Sequence, residues 1–379
     1  MSLKTCILHV GMPKTGTSSI QDSLWSNLKD PRFHYVDLTG HPNGSEFMNL
    51  AFMDDPLEYW LYRKLGYSRA RLSWLKRRYQ AKLRRQLCRV YKANQTAIIS
   101  AEVCWRFKPS ELEAIREFMR DVGFELCVIA YLRPMKSWLE SNIQQNLKFG
   151  SDITTIDRIG DEQCMVYLRY SQRLKTFESI FGKANLVVRA FTSEGLIAGC
   201  VVSDFCQALG IRFAPKSILR ANESMAGDTV RMLYCFNKFL RTSSYPSLAS
   251  NQLMLKHLSE LKGENFHLHS RFFLHMVDHI QSENDLLLSR YGIHLHEDLA
   301  RHDDGPCIHT LADMMCFSRE SLDWLAAKSQ QQKLEACEGL ATAQIVARQM
   351  SFLLCKPIVA LWMQEVRVRL QHRIHVLIP

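Results

Sequence analysis

Residues 9–21 read HVGMPKTGTSSIQ and crowd one lysine, two glycines and four hydroxyl side chains into one short stretch. Cationic and hydroxyl donors of this kind suit a multiply charged oxyanion. The run Thr5–Val10 is apolar enough for a buried strand, Gly11–Gly16 has a turn composition, and Thr17 onward reads as the first turn of a helix. Strand, loop and helix in that order aim backbone N–H groups and the positive end of a helix dipole at an anion. Gly11 and Gly16 keep the spacing of the nucleotide loop G-x-x-x-x-G-K-[ST], but Thr17 stands where that loop has lysine, and the lysine has moved to Lys14. Pro13, Lys14, Thr15, Gly16, Thr17 and Ser18 are therefore the expected anion-binding residues. Lys14 is placed to stabilise charge growing on a departing oxygen, a role worth about 3 kcal/mol in comparable sites.

A second cation follows another apolar run. Arg133 comes directly after Glu125–Leu132, and Pro134 suits the first position of a helix that carries Ser137, Ser141 and Gln145. Arg133 thus falls at the carboxyl end of a strand, the edge at which open α/β sheets bind ligands. Its forked guanidinium suits a phosphate, and Ser141, eight residues on, can approach the same anion. For a proton acceptor, Glu102 follows the strand-like run Thr96–Ala101 onto that same edge, and His41, in the loop after the second strand, is the alternative base.

These features resemble the sulfotransferases that use 3′-phosphoadenosine-5′-phosphosulfate (PAPS), in particular their bacterial and glycan-modifying branch. MPKTGTSSIQ is similar to that family's 5′-phosphosulfate loop, and YLRPMKSWLESNIQQ to its Arg-x₇-Ser motif. The likeness continues more loosely through Tyr170, FGKANLVVRAF, CVVSDFCQALGI and the segment around Asn222 and Ser224, so that it covers roughly residues 4–240. It implies PAPS as co-substrate without a metal, Arg133 and Ser141 on the 3′-phosphate, and Glu102 as base by position. The acceptor it implies is a hydroxyl or amine on an anionic or neutral glycan, a glycolipid or a small molecule. The competing readings are a P-loop ATP-dependent kinase, which would require Mg²⁺, and a non-catalytic nucleotide-binding protein of the same fold.

The elements that must position these residues follow from periodicity. Short β-rich runs, Thr5–Val10, His34–Leu38, Thr96–Ala101, Glu125–Leu132 and Asn185–Phe191, alternate with amphipathic segments such as Glu111–Asp121 and Met165–Ile180. The pattern predicts an α/β, P-loop NTPase-like fold with a five-stranded parallel sheet flanked by helices. From about Ser224 the sequence reads as helical, and Arg301–Cys307 is the best candidate boundary. The expected organisation is an α/β domain over 1–304, with a basic helical insertion at 61–92, and a helical extension over 305–379.

The net charge of +10 is local. Residues 61–92 hold twelve Lys and Arg and no acidic residue, which leaves 36 basic against 38 acidic residues elsewhere. Arg63, Tyr67, Arg71, Arg78 and Arg85 could line an acceptor cleft for an anionic polymer, with Trp60 and Trp74 to stack on sugars. No nucleic-acid-binding motif accompanies the charge, and nucleic acid is not an expected partner. Contact with anionic lipid is compatible with it. Twelve cysteines without a CxxC pair fit a reducing compartment, no secretory leader is visible, and the apolar run Met350–Met363 is too short to span a bilayer. The expected location is cytoplasmic, with peripheral contact at the inner membrane face. His275 and His279 stand i, i+4 around Asp278, but HMVDH lacks the glutamate of HExxH and has no assured third ligand.

Overall fold

The computed structural model describes residues 3–150, 156, 162–219, 224–240 and 249–354. By contacts the chain forms two compact units interleaved in sequence. The first comprises Met1–Pro134, Val166–Asn222 and His279–His296, and the second Met135–Met165, Glu223–Asp278 and Glu297–Pro379. The segment Arg301–Cys307 falls inside the second unit.

The five strands among the described residues belong to the first unit: β1 (Lys4–His9), β2 (Phe33–Tyr35), β3 (Thr96–Ser100), β4 (Phe124–Leu132) and β5 (Leu186–Ala190). They form one parallel sheet in the order β2-β3-β1-β4-β5. β1, β3 and β4 are buried on both faces, which is why they read as continuous apolar runs rather than alternating ones. His9 pairs in register with Ser100 of β3 and with Ile129 of β4. The chain passes from β3 on one side of β1 to β4 on the other, so the carboxyl end of β1 is the switch point of the sheet.

Two local expectations are corrected. β2 stops at Tyr35 rather than Leu38 because Asp37 turns the chain, its Oδ1 accepting the N–H of Thr39 at 2.9 Å and of Gly40 at 2.7 Å. The segment 165–180 is two helices, Glu162–Leu168 and Tyr170–Phe181, broken at Arg169. The break has a cause: the buried Glu283 carboxylate accepts both the backbone N–H (2.7 Å) and the hydroxyl (2.9 Å) of Ser171, capping a new helix there.

The second unit packs the helix Gly227–Leu240 against Met135–Lys148 and Leu340–Phe352. Its described part contains only isolated bridges, such as Leu268 with Ile308, in place of strands. Within it the Glu140 carboxylate accepts the Leu268 N–H at 2.9 Å, and Ser137 is held by Glu297. Residues 220–223 and everything after 354 lie outside the described residues, and with them Asn222, the basic tail Arg367, Arg369 and Arg373, and part of the run Met350–Met363.

Candidate active site

The site is built on the carboxyl ends of β1, β3 and β4 in the first unit. β1 feeds the loop Val10–Gly16, and the helix Thr17–Asn27 starts immediately after it. Three residues of this loop have positive φ: Gly11 at 25°, Lys14 at 72° and Gly16 at 74°. A lysine in the left-handed region is held there against a local cost of about 1 kcal/mol. Such a turn points successive N–H groups into a common concavity.

Gly16 is the N-cap and has no side chain to cap with, and the first turn carries no acidic residue. The helix end thus has no side-chain cap and no carboxylate, and the positive end of its dipole faces the loop. Glycine is required at position 16 twice over: besides the positive φ, a Cβ there would lie 2.7 Å from Val201 Cγ1.

The hydroxyls divide by role. Thr15 is fully buried and donates to the Met12 carbonyl at 2.6 Å, so its single proton shapes the loop. Thr17 is 4% exposed, and its Oγ1 is buried with no hydrogen-bond partner. Such an orphan is costly unless a ligand completes it. Ser18 stands half-buried in the first turn.

Arg133 is drawn to the same loop. Its Nη1 donates to the Lys14 carbonyl at 2.9 Å, and its guanidinium lies over the Phe191 ring at 5.5 Å. The Tyr170 hydroxyl donates to the Arg133 carbonyl at 2.7 Å, fixing the backbone at the strand end. Phe191 also borders Gly16, so one ring supports both anchors.

Glu102 opens a short 3₁₀ turn, Glu102–Arg106, just past β3. Burial raises its carboxyl pKa above the ordinary value while the Lys14 cation pulls it the other way. Lys14 and Glu102 therefore share one electrostatic environment. His41 is exposed on the loop after β2, where its Nδ1 accepts the Asn43 N–H at 3.1 Å. Ser141 lies half-buried in the helix Met135–Lys148 of the second unit, two turns after Arg133 in sequence.

His9 was inside the recognised loop, yet its role is visible only in three dimensions. It is fully buried at the end of β1, with Nδ1 2.8 Å from Ser100 Oγ and its ring edge-on to Tyr131 and Phe205. Gln21 from the first helix also reaches the Ser100 hydroxyl, at 3.2 Å. His9 Nε2 is a second buried atom without a partner. A Cβ on Gly11 would lie 2.7 Å from Thr17 Oγ1 and 3.0 Å from His9 Nε2, so the two orphaned atoms flank one bare Cα. Burial lowers the His9 pKa to about 3 and keeps the ring neutral. The sequence signal was a histidine closing an otherwise apolar strand.

A buried ion pair underpins the floor of the site. Asp204, 0% exposed, accepts from the Tyr131 hydroxyl at 2.6 Å and from Arg189 Nε at 2.7 Å. It ties β4 and β5 to the helix Val201–Ala208, whose Val201 packs on Gly16.

Among the described residues, no group of three or more His, Cys, Asp or Glu is placed to hold a metal ion. His275 and His279 occupy different elements, the turn Ser270–Met276 and the helix Val277–Tyr291. No described helix is long and apolar enough to cross a membrane.

No protein-family profile matches the sequence. An uncharacterized protein of Archaeoglobus fulgidus is 26% identical over 148 residues, 38% of this chain and 39% of that relative's length. Two solved structures show a similarity to this chain. A sulfotransferase domain from the curacin biosynthetic pathway covers 59% of this chain and 80% of its own, with 14% identity and a TM-score of 0.33. A sulfotransferase from Alicyclobacillus acidocaldarius covers 78% of this chain and 97% of its own, with 13% identity and a TM-score of 0.38.

Proposed function

We propose that the chain is a sulfotransferase that moves a sulfuryl group from PAPS to an acceptor hydroxyl or amine. The observation that carries the reading is the loop: a displaced lysine in the left-handed region, an uncapped helix end, and a buried Thr17 hydroxyl that lacks a partner. This donor set fits the 5′-phosphosulfate of the co-substrate, and Arg133, pinned to the same loop, supplies a cation for a further phosphate. Ser141 is assigned to the 3′-phosphate with Arg133 by the likeness of YLRPMKSWLES to the family motif.

The acceptor oxygen attacks sulfur while the bond from sulfur to the 5′-phosphate oxygen breaks. Its proton passes to Glu102, whose raised pKa makes the carboxylate a better base than an exposed one. Charge that grows on the departing phosphate oxygen is stabilised by Lys14 and the open helix end. His41 remains the alternative base. Sulfuryl carries less charge than phosphoryl, so the step as written needs no metal.

The acceptor class favoured by the likeness to the glycan-modifying branch is a carbohydrate or glycolipid, and the reading includes a cytoplasmic location with contact at the inner membrane face. Calorimetric titration with adenosine 3′,5′-bisphosphate and with Mg²⁺-ATP tests the donor assignment. Binding of the bisphosphate in preference to ATP is expected; tight ATP binding with no response to the bisphosphate would overturn it in favour of a kinase.

A further inference from the structure

The segment 61–92 forms a short helix, Trp60–Lys64, and a long one, Arg69–Lys92. The long helix buries Leu72, Leu75, Tyr79, Leu83, Leu87 and Val90 against the first unit. Arg71, Arg78, Lys82, Arg85 and Arg89 follow one another at intervals of seven, four, three and four residues. Those intervals keep them on one side of the helix, along about 27 Å of its length.

This stripe runs into a cavity of about 480 Å³ between the helix and the edge strand β2. Lys82, Arg85 and Arg89 line it together with His34, Asp37 and Gln95. The three cations make no salt bridge among the described residues. Burial and the neighbouring Arg78 and Arg85 depress the Lys82 pKa, a sign that like charges are crowded at the mouth. The one carboxylate in the lining is already engaged: Asp37 Oδ2 accepts from Trp25 Nε1 at 2.9 Å, and Oδ1 accepts the Thr39 and Gly40 N–H groups at 2.9 and 2.7 Å. Gln86 donates to His34 Nε2 at 2.9 Å, and its own Oε1 is buried without a partner.

We propose that this cavity is a second oxyanion site, separate from the loop of β1, which takes a sulfate or phosphate ester of a linear anionic polysaccharide whose further charges lie along the stripe. Three cationic residues against one carboxylate leave the lining with a net positive charge, which matches an oxyanion ester. Concavity argues against a flat bilayer as the occupant. Single-stranded nucleic acid would use bare aromatic faces for base stacking. Here each nearby ring already carries a cation on one face: Arg71 lies 4.2 Å over Tyr67, which stacks on Tyr62, Arg78 lies 5.0 Å over Trp74, and Lys64 lies 5.7 Å over Trp60. The site stands two strands from β1, about 10 Å at normal sheet spacing, and its binding step does not depend on the donor reading.

The probe is a short sulfated dextran fraction, titrated calorimetrically at several salt concentrations, with unmodified dextran as the blank. The triple variant Lys82→Ala, Arg85→Ala, Arg89→Ala should bind it at least tenfold more weakly and with a shallower salt dependence, by about two to three released ions. A second triple variant, Lys64→Ala, Arg77→Ala, Arg84→Ala, removes equal charge off the stripe and should change affinity less than about threefold. All these side chains are on the surface, and retained binding of adenosine 3′,5′-bisphosphate by both variants reports an intact fold and donor loop. Failure of the bisphosphate to bind any form would count against the donor assignment and leave this site standing. Equal weakening by the two triple variants would reduce the attraction to diffuse charge and overturn the proposal. Tighter, Lys82-Arg85-Arg89-dependent binding of a charge-matched oligonucleotide or of phosphatidylserine vesicles would overturn the choice of occupant.

Discussion

Replacement of Thr17 by valine should stabilise the unliganded protein and weaken nucleotide binding, two effects of opposite sign from one atom. Thr17 is 4% exposed and its Oγ1 has no partner, whereas its β-branched shape suits the first helical turn as well as valine does. A buried hydroxyl without a hydrogen bond carries a desolvation penalty of about 1–3 kcal/mol, which the isosteric methyl removes. Part of that gain is offset by any rearrangement beside Gly11, so a net stabilisation of about 1 kcal/mol is expected. A hydrogen bond to a charged oxyanion is worth about 1.5–3 kcal/mol. Its loss should therefore raise the dissociation constant for adenosine 3′,5′-bisphosphate by about 10- to 150-fold. Urea unfolding measures the first effect as a raised midpoint at constant slope, and calorimetry measures the second. Loss of stability in Thr17→Val would show that the hydroxyl is satisfied without ligand. Unchanged affinity would show that it does not face the nucleotide. Either result refutes the argument from the orphaned atom.

Gly11→Ala places a methyl 2.7 Å from Thr17 Oγ1 and 3.0 Å from His9 Nε2, and should cost about 1–3 kcal/mol in urea unfolding as well as nucleotide affinity; an unperturbed midpoint would contradict the packing around that Cα. His9 has its folded pKa lowered to about 3 from an ordinary 6.5, so the unfolded chain binds the extra proton between those values. Stability should then fall as pH drops below about 6.5, with this residue contributing up to ~1.4 kcal/mol per pH unit, and His9→Gln should lose that share of the slope. Glu102→Gln should lower turnover by about 10²- to 10⁴-fold while bisphosphate affinity is retained. In the unsubstituted protein, under the proposed reaction, the rise of kcat/KM with pH should centre above the usual carboxylate range, because burial lifts the Glu102 pKa; a full rate in the variant would transfer the role of base to another group such as His41. Asp204→Asn would strip the anion from beneath Arg189 and the Tyr131 hydroxyl and should destabilise the first unit by about 3 kcal/mol, read as a lowered urea midpoint.

What could be read along the chain was what is local. The alternation of apolar runs and helical periods specified five parallel strands, because a sheet covered on both faces must bury both sides of each strand. The loop was legible for the same reason: strand, turn glycines and helix start are contiguous, so the spacing of Gly11, Lys14 and Gly16 already specifies a strand-loop-helix turn. The placement of Arg133 and Glu102 at strand ends followed from the same runs. Tertiary structure decided the rest. Only the order β2-β3-β1-β4-β5 brings Lys14, Glu102 and Arg133, more than a hundred residues apart at the extremes, to one edge. Glu283 breaks a helix more than a hundred residues before it, which no local period encodes. The hydroxyls of Thr15 and Thr17 are equivalent on paper, and the fold alone spends one on the Met12 carbonyl and leaves the other unpartnered. Likewise the basic helix announced its charge in sequence, but the cavity that focuses three of those cations exists only where the helix passes the edge strand. Periodicity and turn chemistry act between near neighbours, whereas burial and convergence are set by residues distant in the chain.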